Sequence, residues 1–211
     1  SSVDDSEYRL QLNGVIAALN AETVQEIFFA QPDAPIRIHV YVWSGPVNQT
    51  IIVPWTIIED TSDLAEVTAR LQAHQRGVKA PNTAIGDAML AGFSYLAQQP
   101  DCWIRTLDLS GDGETNTGLL PKDIPDDVRM PNVTVNGLVV GSGNFFGDRV
   151  SRAALEDLRI YYEEKVIRGP NAFVEVAEDY EAYAATMERK LIRELSSQVL
   201  GDTLFQNGSE G

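Results

Sequence analysis

The 211-residue chain has one cysteine, two histidines and 16 basic residues against 31 acidic ones. A single thiol, Cys102, excludes an internal disulfide and any cysteine-based zinc cluster. It stands beside Asp101 and Trp103 with no cation in sequence to lower its pKa, so it is expected to be inert. The formal charge of −15 disfavours nucleic acid and anionic membrane surfaces, since no basic patch exists to meet phosphate, but it leaves cations welcome. No apolar run approaches the roughly 18 residues of a spanning helix, and no internal repeat or low-complexity block interrupts the chain. The opening "SSVDD" carries neither an initiator methionine nor a signal peptide, and the expectation is that the beginning is missing.

What is present is an alternation of helices and strands. "DDSEYRLQLNGVIAALN" has an acidic cap and first turn, with Tyr8, Leu12, Val15, Ile16 and Leu19 at helical spacing. "IRIHVYVWSG" and "QTIIVPWTII" are β-branched and aromatic runs joined by "SGPVN", a hairpin whose second strand is assigned to a sheet edge by Pro54. "TSDLAEVTARLQAHQ" and "NTAIGDAMLAGFSYLAQQ" read as helices, and "CWIRTLDLS", "VTVNGLVVG" and "NAFVEVA" as buried strands. "RVSRAALEDLRIYYEEKVI" and "DYEAYAATMERKLIRELSSQ" complete the helices. The order predicts an α/β fold of three layers: a mainly parallel central sheet, helices on both faces, and one antiparallel edge strand. One domain over residues 1–198 and a loose tail over 199–211 are expected, because "GDTLFQNGSEG" lacks periodicity.

Ligands of such sheets gather at the carboxyl ends of the strands. There "LDLSGDGETNTG" offers Ser110, Asp112, Glu114, Thr115, Asn116 and Thr117 as oxygen donors, with glycines for tight turns. A hard divalent cation suits that set, although Asp and Gly also simply make turns. A helix-loop-helix calcium loop starting at Asp108 would need a glutamate where Leu119 stands, and a phosphate loop would need lysine after Gly118. Asp108 as a phosphatase nucleophile would want a second carboxylate where Ser110 stands.

"SSVDDSEY", "NTAIGDAML" and "LDLSGDGETN" resemble the three loops of the metal-ion-dependent adhesion site in von Willebrand factor A-type domains. With "VPWT", "VNGLVVG" and "NAFVEVAEDYEAYAATMERKLIREL", they resemble more narrowly an uncharacterised bacterial family with that fold. The resemblance implies that Ser2, Thr83 and Asp112 hold Mg2+ or Mn2+, with Ser110, Glu114 and Asn116 orienting water around the ion. It implies a metal-dependent, protein-binding function of adhesion type, in which an acidic side chain of the partner completes the coordination. It also implies an extracytoplasmic setting, periplasmic or secreted. The first loop departs from the family pattern: an aspartate and a first serine, together with the first strand, would lie upstream of Ser1, and weakened cation affinity is expected.

Other candidates are weaker. His39 and His74 have no activated nucleophile nearby and read as a strand-face and a surface residue. Trp43, Trp55, Tyr161, Tyr162 and Tyr180 read as packing residues. Asp4 and Asp5 read as helix caps. "GSGNFFGDR" follows a strand end, so Phe145 and Phe146 are candidates for partner contact. "NQT", "NVT" and "NGS" match glycan acceptor triplets and receive little weight. The reading is a binding module and not an enzyme; the alternatives are a metal-dependent hydrolase and a structural domain with a degenerate, metal-free site.

Overall fold

A computed structural model describes residues 3–77, 82–125, 128, 132–141 and 152–206, with side chains placed to 196 in the last segment. The chain opens with helix α1 (Asp5–Asn20), capped as its sequence requires. The Asp4 carboxylate accepts the Glu7 N–H at 2.8 Å, and the Glu7 carboxylate accepts the Asp4 N–H at 2.7 Å. This reciprocal box satisfies two donors that the helix itself cannot. A short helix α2 (Glu22–Phe28), absent from the expected order, follows at once, and its Val24 and Phe28 are buried.

Strands β1 (Ile36–Trp43) and β2 (Gln49–Ile58) form the expected antiparallel hairpin. Between the pairs Ile38↔Thr56 and Val40↔Val53, two residues of β2, Pro54 and Trp55, stand opposite His39. That bulge accommodates a proline that could not donate to a regular ladder. Helices α3 (Thr61–Ala73) and α4 (Ile85–Leu96) come next, α3 with a second capping box built on Asp60 and Asp63. Strands β3 (Arg105–Gly111), β4 (Val133–Val140) and β5 (Val174–Ala177) form a parallel sheet in that spatial order. β3 starts later than expected: Trp103, 79% exposed, and Ile104 precede it. Helix α5 (Arg152–Tyr161) widens into one π turn over Tyr162–Val166, and α6 (Tyr183–Gln206) closes the order. Helical backbone through Gln206 takes the place of the loose segment expected from residue 199, and residues 207–211 lie outside the described residues.

The three layers follow from period-two alternation. Ile38, Val40 and Val42 of β1, and Leu138 and Val140 of β4, pack toward α1 and α6. Tyr41 and Trp43 of β1, Leu107 and Leu109 of β3, and Val135 and Val139 of β4 pack toward α4 and Tyr162. Trp55, Tyr161, Tyr162 and Tyr180 take packing positions, as read from sequence. The single central sheet expected from sequence is present as two ladders, β2-β1 and β3-β4-β5. Both share one alternation and the same two helical layers. No helix among the described residues is long and apolar enough to cross a membrane.

Candidate functional site at the carboxyl edge of the sheet

The oxygen-rich turn leaves β3 at Ser110 and Gly111, and its glycines set how closely it can pack. A Cβ on Gly111 would fall 2.4 Å from the Tyr162 hydroxyl, so only glycine lets that buried ring seat beneath the turn. Gly118 has φ +72°, a left-handed turn that reverses the chain so that the Leu119 N–H donates to the Asp87 carboxylate at 2.8 Å. The turn is thereby tied to the first turn of α4.

A second tie joins it to Thr83. The Thr83 N–H donates to the Asn116 side-chain oxygen at 2.8 Å, and the Asn116 N–H donates to the Thr83 carbonyl at 2.9 Å. Ala84 N–H donates to the Ser44 carbonyl at 2.9 Å, fixing the same loop to the end of β1. Thr83, Ser110 and Asp112 consequently line one mouth, the carboxyl end of a cavity of about 730 Å³. Val3 lines that cavity too, and Arg76 Nη1 holds the entry to α1 by donating to the Val3 and Asp4 carbonyls at 2.9 and 2.8 Å.

The electrostatics of the mouth are negative. Burial raises the pKa of Glu7, and the nearby charges of Asp4 and Asp112 push the same way against the Asp4 N–H and Arg76. The Tyr180 hydroxyl donates to Asp112 Oδ2 at 3.3 Å, and its pKa is raised by burial and by the charges of Asp112 and Glu7. The Tyr183 hydroxyl donates to Ser110 Oγ at 3.1 Å, and burial pushes its pKa up to about 12 despite that bond. Glu114 is exposed on the turn. Ser2, Phe145 and Phe146 lie outside the described residues. Among the described residues no three His, Cys, Asp or Glu side chains cluster as metal ligands, so a cation site at this mouth would depend on hydroxyl and carboxylate oxygens drawn from separate loops.

Sequence reasoning missed one polar cluster behind the mouth. Lys190 of α6 is fully buried, with Nζ against Asp108 of β3 and Glu194 one turn further on. Asn136 of β4 donates to Glu194 at 2.7 Å and accepts the Phe173 N–H at 3.1 Å. Burial alone would lower the Lys190 pKa, but the charges of Asp108 and Glu194 prevail and raise it. Burial and the Asp108 charge hold the Glu194 carboxyl well above the ordinary range. The signal is a carboxylate between the buried Leu107 and Leu109 of a strand, together with a Lys/Glu pair at helical i,i+4 spacing. His39 is a second surprise. Its ring packs 4.6 Å from that of Tyr95 and 5.1 Å from that of Trp55, burial lowers its pKa, and neither ring nitrogen has a partner among the described residues.

Comparison with solved structures finds a similar fold in the pilus adhesin SpaC from Lactobacillus rhamnosus GG, with a TM-score of 0.51 and 11% identity. The match covers 87% of this chain but 28% of that one, and at this identity the likeness speaks for the fold alone. Among curated proteins no sequence matches significantly. A family match extends over residues 1–199, and the chain belongs to the family described as protein of unknown function DUF1194.

Proposed function

We propose that the domain is a protein-binding module of the von Willebrand A type, in which a divalent cation at the carboxyl edge links the domain to an acidic side chain of a partner protein. The observation that carries this reading is convergence. Thr83, Asp112 and the entry to α1 reach one mouth from three separate parts of the sequence, and burial together with the charges of Asp4 and Asp112 raises the proton affinity of Glu7 beside it. A hard cation offsets such a field, and Mg2+ or Mn2+ accepts mixed hydroxyl and carboxylate oxygens while retaining water. Ser2, Thr83 and Asp112 would hold it, with Ser110 and Glu114 beside its waters and Asn116 acting first as the tie that positions Thr83. Bound there, the ion would supply positive charge and a coordination position for the partner's carboxylate. An extracytoplasmic location goes with this reading.

Mn2+ titration followed by paramagnetic broadening of amide resonances tests it. The amides of Thr83, Ser110 and Asp112 are expected to broaden first, and chelation to restore them. Broadening spread evenly over the acidic surface, or centred on α3 or α5, would remove the site.

A further inference from the structure

The stripe that α6 turns toward the sheet carries two charged residues. Tyr183, Met187, Lys190 and Glu194 stand at helical spacing, and all four are buried. Opposite them, Asp108 of β3 and Asn136 of β4 are register partners in the parallel ladder. A buried ion pair needs one cation and one anion. This cluster sets two carboxyl groups around one amine.

The contacts give the two carboxyls different roles. Lys190 Nζ touches Asp108 Oδ1 and donates to Glu194 Oε1, which also accepts from Asn136 at 2.7 Å. The Glu194 carboxyl is hydrogen-bonded to Asp108 as well. A bond between two carboxyls requires a proton, and burial together with the Asp108 charge keeps that proton on Glu194. An amine, a carboxyl carbon and a carboxylic acid are thus held in mutual contact. Asn136 fixes the acid and is itself fixed by the Phe173 N–H. The Lys190 and Glu194 side chains are 0% and 6% exposed, and the Phe173 ring centre lies 5.8 Å from Nζ. Asp108, by contrast, lines the cavity of about 730 Å³.

We propose that Lys190 and Asp108 join in an intramolecular isopeptide bond, with Glu194 as the acid and base of the reaction and water as its product. The ammonium first passes a proton to the Asp108 carboxylate, which leaves the cluster uncharged. The Nζ lone pair adds to Asp108 Cγ while Glu194 protonates the carbonyl oxygen, and Glu194 then takes a proton from Nζ. In the collapse Glu194 protonates one of the two hydroxyls on Cγ, that C–O bond breaks, and the remaining hydroxyl returns its proton to Glu194. One C–N bond replaces one C–O bond, one water leaves through the cavity, and nothing is oxidised or reduced. Fixed contact supplies the effective concentration that amide formation lacks in solution. Burial withholds the water that would reverse it.

Only the neutral amine can attack. Against its burial, the charges of Asp108 and Glu194 hold Lys190 as its ammonium, so closure is slow. The freshly folded chain carries the ion pair, and the linked form accumulates with time. This inference is independent of any cation or partner.

The test is intact mass under denaturing conditions, followed for a month on folded protein kept at neutral pH, with tryptic mapping of the end point. The expected product is lighter by one water and joins residues 106–122 to residues 190–193, with no cleavage at Lys190. Glu194→Gln is expected to form it at least about 100-fold more slowly, and Asp108→Ala not at all. A mass unchanged after a month, while the near-UV circular dichroism stays native, would overturn the proposal and leave a buried ion pair. Loss of ammonia in place of water would also overturn it, since that puts the bond on Asn136. So would a link from residues 190–193 to the peptide that begins at Glu194, which makes Glu194 the acceptor. Water lost within residues 106–122 with no second peptide attached would count against it too, as the succinimide of the Asp112-Gly113 pair.

Discussion

Replacing Lys190 with methionine tests the buried charge cluster under β3. The ammonium has no solvent exposure and is wedged between Asp108 and Glu194, with Asn136 bonded to the far carboxylate. Removing one partner of a buried ion pair costs about 3–5 kcal/mol, because the remaining charges stay desolvated without compensation. Two features favour the lower half of that range. The Asp108 side chain is 33% exposed and can hydrate, and Glu194, whose proton affinity is already raised, can take up a proton. For a domain of this size, each kcal/mol shifts the melting temperature by about 2–4 °C, so Lys190→Met should melt about 6–15 °C lower. Glu194→Gln is the control. It preserves an acceptor for Asn136 and leaves the Lys190–Asp108 pair intact, so it should cost no more than about 1 kcal/mol. Urea unfolding followed by circular dichroism at neutral pH measures both. Equal losses in the two variants, or a Lys190→Met loss under about 1 kcal/mol, would refute the assignment of the ammonium as the keystone of the cluster.

Gly111→Ala should destabilise by about 1–3 kcal/mol through the clash with the Tyr162 hydroxyl, and the loss should shrink by about 1 kcal/mol in a Tyr162→Phe background. Additive losses in the double-mutant cycle would sink that account. Tyr41, Tyr162, Tyr180 and Tyr183 all have hydroxyl pKa values raised by burial, Tyr183 to about 12. Folded values above the unfolded value mean that their stabilisation is complete below about pH 10 and is lost as pH rises through the folded values, at about 1.4 kcal/mol per unit for each. Cooperative unfolding near pH 11–12, with tyrosinate absorbance rising in the same step, is the expected result; a gradual rise without unfolding contradicts it. Asn116→Ala should speed amide exchange at Thr83 by about fivefold, the loss of one hydrogen bond worth about 1 kcal/mol, while leaving β4 unchanged.

Much of this architecture is legible in the sequence because it is written in local periodicity. Asp4 before Tyr8, Leu12 and Leu19 announces α1, and the hairpin follows from two β-branched runs around "SGPVN". Helix α2 is not legible in this way: at seven residues it is too short to show a period, and Ala21 ends one helix and begins the next without a glycine or proline to mark the break. The continuation of α6 through Gln206 also escapes pattern reading, since "GDTLFQ" has a glycine and no apolar stripe. At the mouth, the oxygen donors are legible as a turn. That Asn116 would be used to fasten Thr83, rather than only to face water, depends on a contact between residues 33 apart. The Lys190 cluster joins β3, β4 and α6, and no local window contains it. The split into two ladders is likewise a matter of pairing, on which alternation is silent.

The most direct test of metal-assisted binding at this edge is calorimetric titration of Mg2+ and Mn2+ into the protein and its Asp112→Ala variant. Saturable binding to the first and none to the Asp112→Ala variant is the expected result. Absence of binding heat in both, or binding that survives Asp112→Ala undiminished, would contradict metal-assisted binding and leave "SGDGETN" as a structural turn.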